Sequence, residues 1–349
     1  MKIYKDIYND IISLENLFSA WDKFKIGKRR RADVQQFEWR LEDNIFKLHY
    51  DLKNKAYRHG AYSSFIIHDP KRRNIHKATV RDRVLHHAIF STLNPLFEPT
   101  FITNSFSCRI DKGTHKGINI LNDQLRQISG NGRKDCFALK CDIEKFFDTI
   151  NQNILLGIMR KIIKDDNAVW LLREAIFNYS SKYSDIFNQK GVPIGNLTSQ
   201  LFANIYMNEF DQFVKHELRI KNYLRYTDDF VIVSSDRKYL EGLIDPIRLF
   251  LSSKLFLELH PKKVTIDKFN QGIDFLGYVA LPHYRQLRTK TKKRMFRKLK
   301  KQANKYRVGA ISEDSLRQSL NSYLGVMSHA DAYELGNRMK NQCWFWINE

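Results

Sequence analysis

Residues 223–235 constrain the fold more than any other segment of this sequence. Two apolar runs, YLRY and FVIV, flank a short Thr-Asp-Asp segment. Aromatic and β-branched runs around a short polar turn are typical of a β-hairpin. A second apolar stretch, FALKC at 137–141, ends directly at Asp142. The sequence therefore predicts β-strands that end in carboxylates, and acids in such positions need a partner.

Helical patterns surround these strands. Apolar residues at steps of three and four predict helices over 7–21 and 34–48. Further helical stretches are predicted over 151–179 and from a start at Thr198 or Ser199. The linker between the first two helices, KFKIGKRRR, carries six basic residues. A solvated charge run is the default interpretation of this linker, and a phosphate contact is the alternative.

A further hairpin is predicted over 62–80. Two stretches rich in β-branched and aromatic residues surround the turn signal Asp69-Pro70. The tip carries three basic residues: Lys71, Arg72 and Arg73. A basic tip of this kind can grip phosphates.

The charge balance indicates a polyanionic partner. Lysine and arginine number 59 against 38 acidic residues, which gives a formal net charge of +21 at pH 7. Basic side chains bind phosphates with sequence-independent affinity because they release counterions. Nucleic acid is therefore the expected partner, whereas a membrane is not, because the cations are spread along the chain. No apolar run approaches the roughly 18 residues of a membrane span, and we expect a cytoplasmic protein.

The acids at the strand ends suggest a cation site. Basic side chains are scarce in both segments, so divalent cations are natural partners for Asp142 and the pair Asp228-Asp229. Mg²⁺ prefers a few carboxylates together with water and phosphate oxygens. Taken alone, Asp228-Asp229 would be interpreted as turn residues. A second acid pair, Asp165-Asp166, precedes a helical pattern and is interpreted as a helix cap. The four cysteines show neither zinc-site nor disulfide spacing.

Four segments in chain order resemble motifs A, B, C and E of reverse transcriptases: FALKCDIEKFFDTI, GVPIGNLTSQLFANIY, YTDDF and FLGY. Upstream, RDRVLHHAI and SFSCRIDKGTHKGI resemble the fingers motifs of bacterial and group II intron enzymes. The resemblance implies an α+β right-hand polymerase with fingers, a ferredoxin-like palm and a helical thumb. It implies N-terminal helices or a fingers extension at 1–54, fingers and palm at 55–280, and a basic helical thumb at 281–349.

The resemblance also implies an RNA-directed DNA polymerase with a two-metal site. The motif A aspartate and the motif C pair correspond to Asp142, Asp228 and Asp229, which would hold two Mg²⁺ ions or, as a substitute, Mn²⁺. In the implied reaction, a primer 3′-hydroxyl attacks the α-phosphate of a deoxynucleoside triphosphate and pyrophosphate leaves. The implied partners are template RNA, the cDNA duplex and deoxynucleoside triphosphates, with no membrane.

Residues that contact the nucleotide follow from the same resemblance. The hairpin tip corresponds to the part of the fingers that grips the triphosphate, with Arg73 at the arginine position and Lys71 as the accompanying lysine. Lys263 lies where the motif D lysine would sit as a proton donor to pyrophosphate, and Lys262 is an adjacent competitor. Solvated lysines are the alternative for this pair.

Motifs A and E imply further contacts. Phe147 corresponds to an aromatic steric gate against the ribose 2′-hydroxyl, and a core phenylalanine is the alternative. Motif E corresponds to a primer grip at Phe275, Leu276 and Gly277. The basic helix over 292–307 would contact duplex phosphates without reading sequence. The terminal CWFWINE, with Trp344 and Trp346, is expected to pack, with a partner surface as the second choice.

Motif B departs from the commonest reverse transcriptase pattern, which has Gln-Gly ahead of the helix. Here the residues are Ile194, Gly195 and Asn196, followed by Leu-Thr-Ser-Gln. This resembles the reverse transcriptases of diversity-generating retroelements, which copy a template-repeat RNA with errors at adenine for mutagenic retrohoming. That family implies a small basic oligomeric accessory variability protein as partner, and a bacterial, phage or archaeal host. Isoleucine at this position offers only apolar contact, which would weaken rejection of misplaced pairs.

Two alternatives remain open. Another bacterial reverse transcriptase, of the retron or phage-defence type, would share the three aspartates. A group II intron protein is disfavoured because about 70 residues follow the palm. A non-catalytic basic RNA-binding protein belongs to a different class, in which the acids would be turn residues. Metal-dependent primer extension separates an enzyme from a binding protein.

Overall fold

The computed structural model describes residues 2–69, 71–185 and 188–348, so Pro70 of the predicted turn lies outside the described residues. This part of the chain combines α-helices with antiparallel β-sheet. The helices are α1 (Ile7–Ile12), α2 (Leu14–Lys25), α3 (Ala32–Trp39), α4 (Leu41–Lys53), α5 (Val80–Phe97), α6 (Thr114–Ser129), α7 (Phe146–Thr149), α8 (Gln152–Ile162), α9 (Asp166–Phe177), α10 (Leu197–Gln212), α11 (Arg237–Gly242), α12 (Ile244–Leu255), α13 (Thr289–Arg307), α14 (Glu313–Met327) and α15 (Tyr333–Asn348). The strands are β1 (Ser63–Ile67), β2 (Arg73–Lys77), β3 (Phe137–Cys141), β4 (Tyr223–Tyr226), β5 (Asp229–Ser234), β6 (Thr265–Lys268), β7 (Ile273–Phe275), β8 (Tyr278–Ala280) and β9 (Arg285–Leu287).

The chain forms two compact units, each assembled from separate stretches of sequence. The first unit contains the described residues of 1–103, 142–221 and 245–262. The second contains those of 104–141, 222–244 and 263–349. The domain boundaries expected at residues 54 and 280 stay predictions.

The first unit is mostly helical and is organised around α5. This helix begins after Thr79, whose hydroxyl accepts a hydrogen bond from the amide of Asp82. Its buried face packs against α2 and α10. The hairpin predicted over 62–80 is confirmed, because β1 and β2 pair antiparallel with Ile67 opposite Arg73.

Polar residues divide the predicted N-terminal helices into shorter ones. The first breaks at Ser13, which ends α1 and caps α2 by accepting a hydrogen bond from the amide of Asn16. The second breaks at Arg40, which lies between α3 and α4. The apolar periodicity runs through both breaks, so periodicity alone did not locate them.

The helical stretch predicted over 151–179 is also two helices, α8 and α9. Asp165 separates them, because its carboxylate accepts hydrogen bonds from the amides of Asn167 and Ala168. The same carboxylate accepts a hydrogen bond of 2.7 Å from the amide of Tyr8. The predicted capping role of this acid is therefore confirmed.

The helix after motif B begins earlier than the sequence predicts. Its first residue is Leu197 and Asn196 occupies the N-cap, whereas Thr198 or Ser199 was the predicted start. The hydroxyl of Thr198 lies 2.8 Å from Nδ1 of His86 on α5. A tertiary contact therefore uses the side chain that local preference would assign to capping.

The second unit is built on two antiparallel sheets. A four-stranded sheet has the order β4-β5-β3-β6, and a three-stranded sheet has the order β7-β8-β9. The hairpin predicted over 223–235 is confirmed as β4–β5. The unit's hydrophobic core joins residues of α6, both sheets and α13–α15.

The basic helix α13 packs through a narrow apolar stripe. Leu299 and Ala303 are buried in the core, and Phe296 and Tyr306 are partly buried against it. Residues 285–307, which include this helix, contain twelve lysines and arginines.

The last helix corrects one packing prediction. Trp346 is partly buried against the core, but Trp344 is 70% exposed and therefore does not pack there. All four cysteines are free thiols, and Cys108 alone among them is exposed. Among the described residues, no helix is long and apolar enough to cross a membrane.

Candidate active site

The β4–β5 hairpin holds Asp228 and Asp229 at a tight turn. Tyr226 pairs with Asp229, so Thr227 and Asp228 form a two-residue connection. Thr227 has a left-handed backbone with φ of 59°, a conformation that two-residue hairpin turns require. Asp229 is therefore the first residue of β5, and Asp228 lies at the tip.

A buried arginine anchors this turn within the second unit. Arg225 is 0% exposed, and its guanidinium donates to the carbonyl of Thr227 at 2.9 Å and to the hydroxyl of Ser105 at 3.1 Å. The hydroxyl of Thr227 in turn donates to that of Ser107 at 2.6 Å. The backbone amide of Phe106 donates to the carbonyl of Arg225. The segment SFSCRIDKGTHKGI therefore supports the acid-bearing turn.

Asp142 directly follows β3, the strand beside β5. Cys141, the last residue of β3, pairs with Phe230, the second residue of β5. The end of β3 therefore meets the start of β5. Asp142 is 9% exposed, and its carbonyl accepts a hydrogen bond of 2.8 Å from the amide of His260.

The donor chemistry of the three aspartates fits a hard divalent cation, since carboxylate oxygens are the ligands that Mg²⁺ prefers. Within residues 2–69, 71–185 and 188–348, no three His, Cys, Asp or Glu side chains are arranged to hold a metal ion. Mg²⁺ typically uses one or two carboxylates and completes its shell with water and substrate phosphates. A protein cage of three ligands is therefore not required for this chemistry.

The basic hairpin of the first unit lies against the motif B segment. Arg73 is the first residue of β2, and both Arg73 and Lys71 are exposed. Further along β2, the amide of His76 donates to the carbonyl of Ile194 at 3.0 Å. The structure therefore brings the strand of the predicted triphosphate arginine to the turn that carries Ile194.

Position 195 requires glycine because the turn lies so close to β2. Its φ is 136°, and a Cβ added there would lie 2.8 Å from the carbonyl oxygen of His76. Any side chain would therefore meet both backbone strain and a clash with β2. Glycine allows the turn to approach the hairpin.

Phe147 lies in the single-turn helix α7, not in a strand. Phe146 is buried and Phe147 is half-buried, so the two successive rings face different surroundings. The carbonyl of Phe147 accepts a hydrogen bond of 2.8 Å from the amide of Val192. Phe147 thus lies beside the segment leading to Ile194, and its gating role stays a prediction.

The remaining predicted contacts lie in the second unit. Phe275 is buried at the end of β7, and Leu276 and Gly277 form the turn to β8 with φ of 50° and 90°. Gly277 also accepts a hydrogen bond from the amide of Arg288 through its carbonyl. Lys263 is half-buried just before β6. The primer-grip and proton-donor roles of these residues stay predictions.

Two supporting residues escaped the sequence analysis. The sequence does contain a sign that Arg225 has a special role, because it is a lone cation inside an apolar strand. Asp82, in the segment RDRVLHHAI, is fully buried and accepts hydrogen bonds from the hydroxyls of Tyr57 at 2.9 Å and Thr79 at 2.6 Å. Burial alone would raise the pKa of Asp82, but the Thr79 hydrogen bond and the nearby His59 and Arg81 hold it below its ordinary value.

The sequence is similar to several known proteins. Protein YkfC of Escherichia coli (strain K12) is 27% identical over 236 residues, which cover 57% of this chain and 60% of that protein. The group II intron-encoded protein LtrA of Lactococcus lactis subsp. cremoris is 23% identical over 303 residues, which cover 68% of this chain and 49% of that protein. This chain therefore spans less than two thirds of either relative.

A solved structure of telomerase from Candida albicans, in complex with a fragment of telomeric RNA, aligns with a TM-score of 0.46 at 13% identity. The alignment covers 89% of this chain and 64% of the telomerase chain.

A protein-family comparison covers most of the chain. Residues 67–280 match the family described as reverse transcriptase (RNA-dependent DNA polymerase). The mixed helix-and-sheet architecture and this match confirm the predicted right-hand polymerase class. The sequence motifs favour a diversity-generating enzyme over a group II intron protein, whereas the similarity to LtrA relates the chain to the group II intron-encoded proteins. The chain belongs to the reverse transcriptase family.

Proposed function

We propose that this chain is an RNA-directed DNA polymerase that extends a primer on an RNA template. The observation that carries the proposal is the register of β3 and β5, in which Cys141 pairs with Phe230. Asp142 follows the first of these residues and Asp229 precedes the second. Family membership adds support, because the matched region contains all three aspartates.

Asp142, Asp228 and Asp229 would hold the divalent ions that reverse transcriptases generally use. When bound, such ions activate the attacking hydroxyl and stabilise charge on the leaving phosphate. Mg²⁺ is the proposed ion and Mn²⁺ its substitute. The protein's own contribution is to fix the carboxylates, and the buried Arg225 does this for the turn of Asp228.

The first unit would select the nucleotide. Arg73 and Lys71 at the exposed hairpin would contact the triphosphate, and Phe147 would exclude the ribose 2′-hydroxyl. Ile194 and Gly195 would line the sugar and base. This assignment is supported by the hydrogen bond between the amide of His76 and the carbonyl of Ile194, which joins hairpin and turn.

The second unit would hold the primer and the growing duplex. Phe275, Leu276 and Gly277 would form the primer grip, and Lys263 would donate a proton to pyrophosphate. Helix α13 would follow duplex phosphates, since its residues 289–307 carry no acid and cations bind phosphates without reading sequence. The proposed divisions at 1–54, 55–280 and 281–349 describe the corresponding fingers extension, fingers with palm, and thumb.

We further propose that the product is adenine-mutagenic cDNA copied from a template-repeat RNA for mutagenic retrohoming. The supporting observation is Ile194 at the motif B turn, where an apolar side chain replaces a hydrogen-bonding one. Fewer polar contacts give weaker discrimination against misplaced pairs. A small basic oligomeric accessory protein is the proposed partner, in a cytoplasmic setting.

Primer extension tests the polymerase. The full chain is given a primed RNA template, deoxynucleotides and Mg²⁺, with and without accessory protein. Asp228→Asn is compared with Asp166→Asn, a matched control because Asp166 is an exposed acid in the first turn of α9. We expect synthesis that the first variant loses, by roughly 10³-fold or more, and the control keeps. Full activity of Asp228→Asn refutes the site, and no synthesis by wild type supports a binding protein instead.

Sequencing the products tests the mutagenic proposal. We expect errors concentrated at template adenines in wild type and fewer in Ile194→Gln, with other positions unchanged. Accurate copying by wild type would leave the polymerase proposal intact but assign the chain to another class of bacterial reverse transcriptase. Unchanged adenine errors in Ile194→Gln would remove that residue from the explanation.

A further inference from the structure

A buried polar cluster in the first unit joins α5 to the turn that carries Ile194. Its centre is His86, which is 2% exposed. Nδ1 of His86 lies 2.8 Å from the hydroxyl oxygen of Thr198. Nε2 of His86 lies 2.9 Å from the side-chain nitrogen Nδ2 of Asn196. The proposed chemistry uses none of these three groups, so their role needs another explanation.

The hydrogen bonds define the state of His86. Burial, and next the charge of His59, lower the pKa of His86 to about 3, so the imidazole is neutral in any ordinary assay buffer. A neutral imidazole has one N–H donor and one acceptor nitrogen. The side-chain nitrogen of Asn196 can only donate, so Nε2 of His86 accepts, and Nε2 of His59 lies 3.1 Å from the same His86 nitrogen. Nδ1 therefore carries the hydrogen and donates to Thr198.

Asn196 makes an unusual use of its side chain. It stands at the N-cap of α10, yet its side chain makes no capping hydrogen bond. Its side-chain nitrogen Nδ2 instead donates to His86 and, at 3.0 Å, to the hydroxyl of Tyr62. A missing N-cap typically costs about 1 kcal/mol, so the fold forgoes local helix stability at this position. What it gains is a link between the turn and α5.

The turn is thereby held from two sides. On one side, the amide of His76 on β2 donates to the carbonyl of Ile194. On the other side, His86 on α5 binds the side chain of Asn196, two residues later. Gly195 lies between these attachments, pressed against the carbonyl oxygen of His76. The position of Ile194 therefore depends on both contacts.

We propose that His86 is a positioning residue for nucleotide selection: through Asn196 it fixes the turn that presents Ile194 to the incoming deoxynucleotide. The inference rests on the proposed polymerase function. Because His86 is buried and acts through Asn196, its loss acts on nucleotide binding and selection and leaves the chemical step nearly unchanged.

Three substitutions at position 86 separate the hydrogen bond to Asn196 from the one to Thr198. In His86→Gln, the side-chain amide reaches the place of Nε2 and keeps an acceptor for Asn196. In His86→Asn, the shorter amide replaces Nδ1 and keeps the bond to Thr198. His86→Leu keeps neither. The matched control is His87→Leu, because His87 is the next residue of α5 and packs edge-on against Phe24 at 5.7 Å between ring centroids.

Steady-state primer extension separates positioning from general damage. In His86→Leu and His86→Asn we expect KM for the deoxynucleotide to rise roughly 5–10-fold, the size of one lost buried hydrogen bond. We expect kcat to change less than about twofold and the misincorporation ratio to shift. His86→Gln should recover KM to within about twofold of wild type. Equal effects of His86→Leu and His87→Leu, or recovery by Asn and not by Gln, would overturn the proposal.

A second measurement does not need activity. Hydrogen exchange of the peptide spanning 192–200 should become faster in His86→Leu and His86→Asn and stay near wild type in His86→Gln and His87→Leu. Unchanged exchange in His86→Leu overturns the positioning role even if the enzyme is active. Faster exchange in a chain that never extends primers would support the structural link while refuting the polymerase function on which the selection role depends.

Discussion

His86 gives the sharpest prediction for stability. Its ordinary pKa of 6.5 falls to about 3 in the folded protein, chiefly because the side chain is buried. As pH falls below 6.5, the His86 imidazole becomes protonated in the unfolded chain but stays neutral in the folded chain, so unfolding becomes more favourable. The free energy of unfolding must therefore decrease from pH 6.5 towards pH 3, and the effect is absent above pH 7.

The magnitude follows from the two pKa values. Between pH 7.5 and pH 5, this single group should remove about 2 kcal/mol of stability, and about 4 kcal/mol by pH 3. Urea denaturation of wild type and His86→Gln at pH 7.5 and pH 5 measures it. We expect wild type to lose about 2 kcal/mol more than the variant.

The comparison cancels the groups that titrate independently of His86. His87 also has a lowered pKa, of about 4, because of burial and next the charge of Lys28. Both proteins contain His87, so its contribution drops out of the difference. Equal losses in wild type and His86→Gln would refute the argument that His86 is buried and neutral.

Three further outcomes follow from contacts described above. Gly195→Ala should destabilise the protein by about 1–3 kcal/mol, because of positive φ and the nearby His76 carbonyl oxygen; a denaturation midpoint equal to wild type would contradict this. Arg225→Met should cost about 3 kcal/mol and abolish primer extension, since it leaves the Ser105 and Thr227 acceptors without their donor; an active, stable variant would refute the anchoring role. Asp165→Ala should cost about 2 kcal/mol through the lost cap of α9 and the lost hydrogen bond from the amide of Tyr8 and leave primer extension at the wild-type rate, so a catalytic defect would show that this acid is more than structural.

The sequence predicted the elements that local patterns define. The hairpins over 62–80 and 223–235, the strand ending before Asp142 and the cap at Asp165 are all present. Each rests on alternation, turn residues or a capping side chain, which act over a few residues. These local patterns were sufficient to locate the strands of motifs A and C, which are β3, β4 and β5.

The contacts that the sequence did not reveal are long-range. Thr198 was expected to begin a helix, but its hydroxyl is bonded to His86, 112 residues earlier in the chain. Arg225 interrupts an apolar strand, and its role appears only when Ser105 is brought beside it. Neither contact produces a periodic pattern in the sequence, because each joins two single side chains from distant segments. Composition and spacing therefore predict the framework better than the polar contacts that fix it.

The strand order of the larger sheet has a consequence for biosynthesis. Strand β3 lies between β5 and β6, and both neighbours come later in the chain. About 90 residues must leave the ribosome after β3 before β5 can pair with it, which takes roughly 5–20 s at ordinary translation rates. During that interval the apolar FALKC strand has two open edges, a state prone to aggregation. Slower synthesis should therefore lower the yield of folded protein, and a chaperone that shields this nascent segment should raise it.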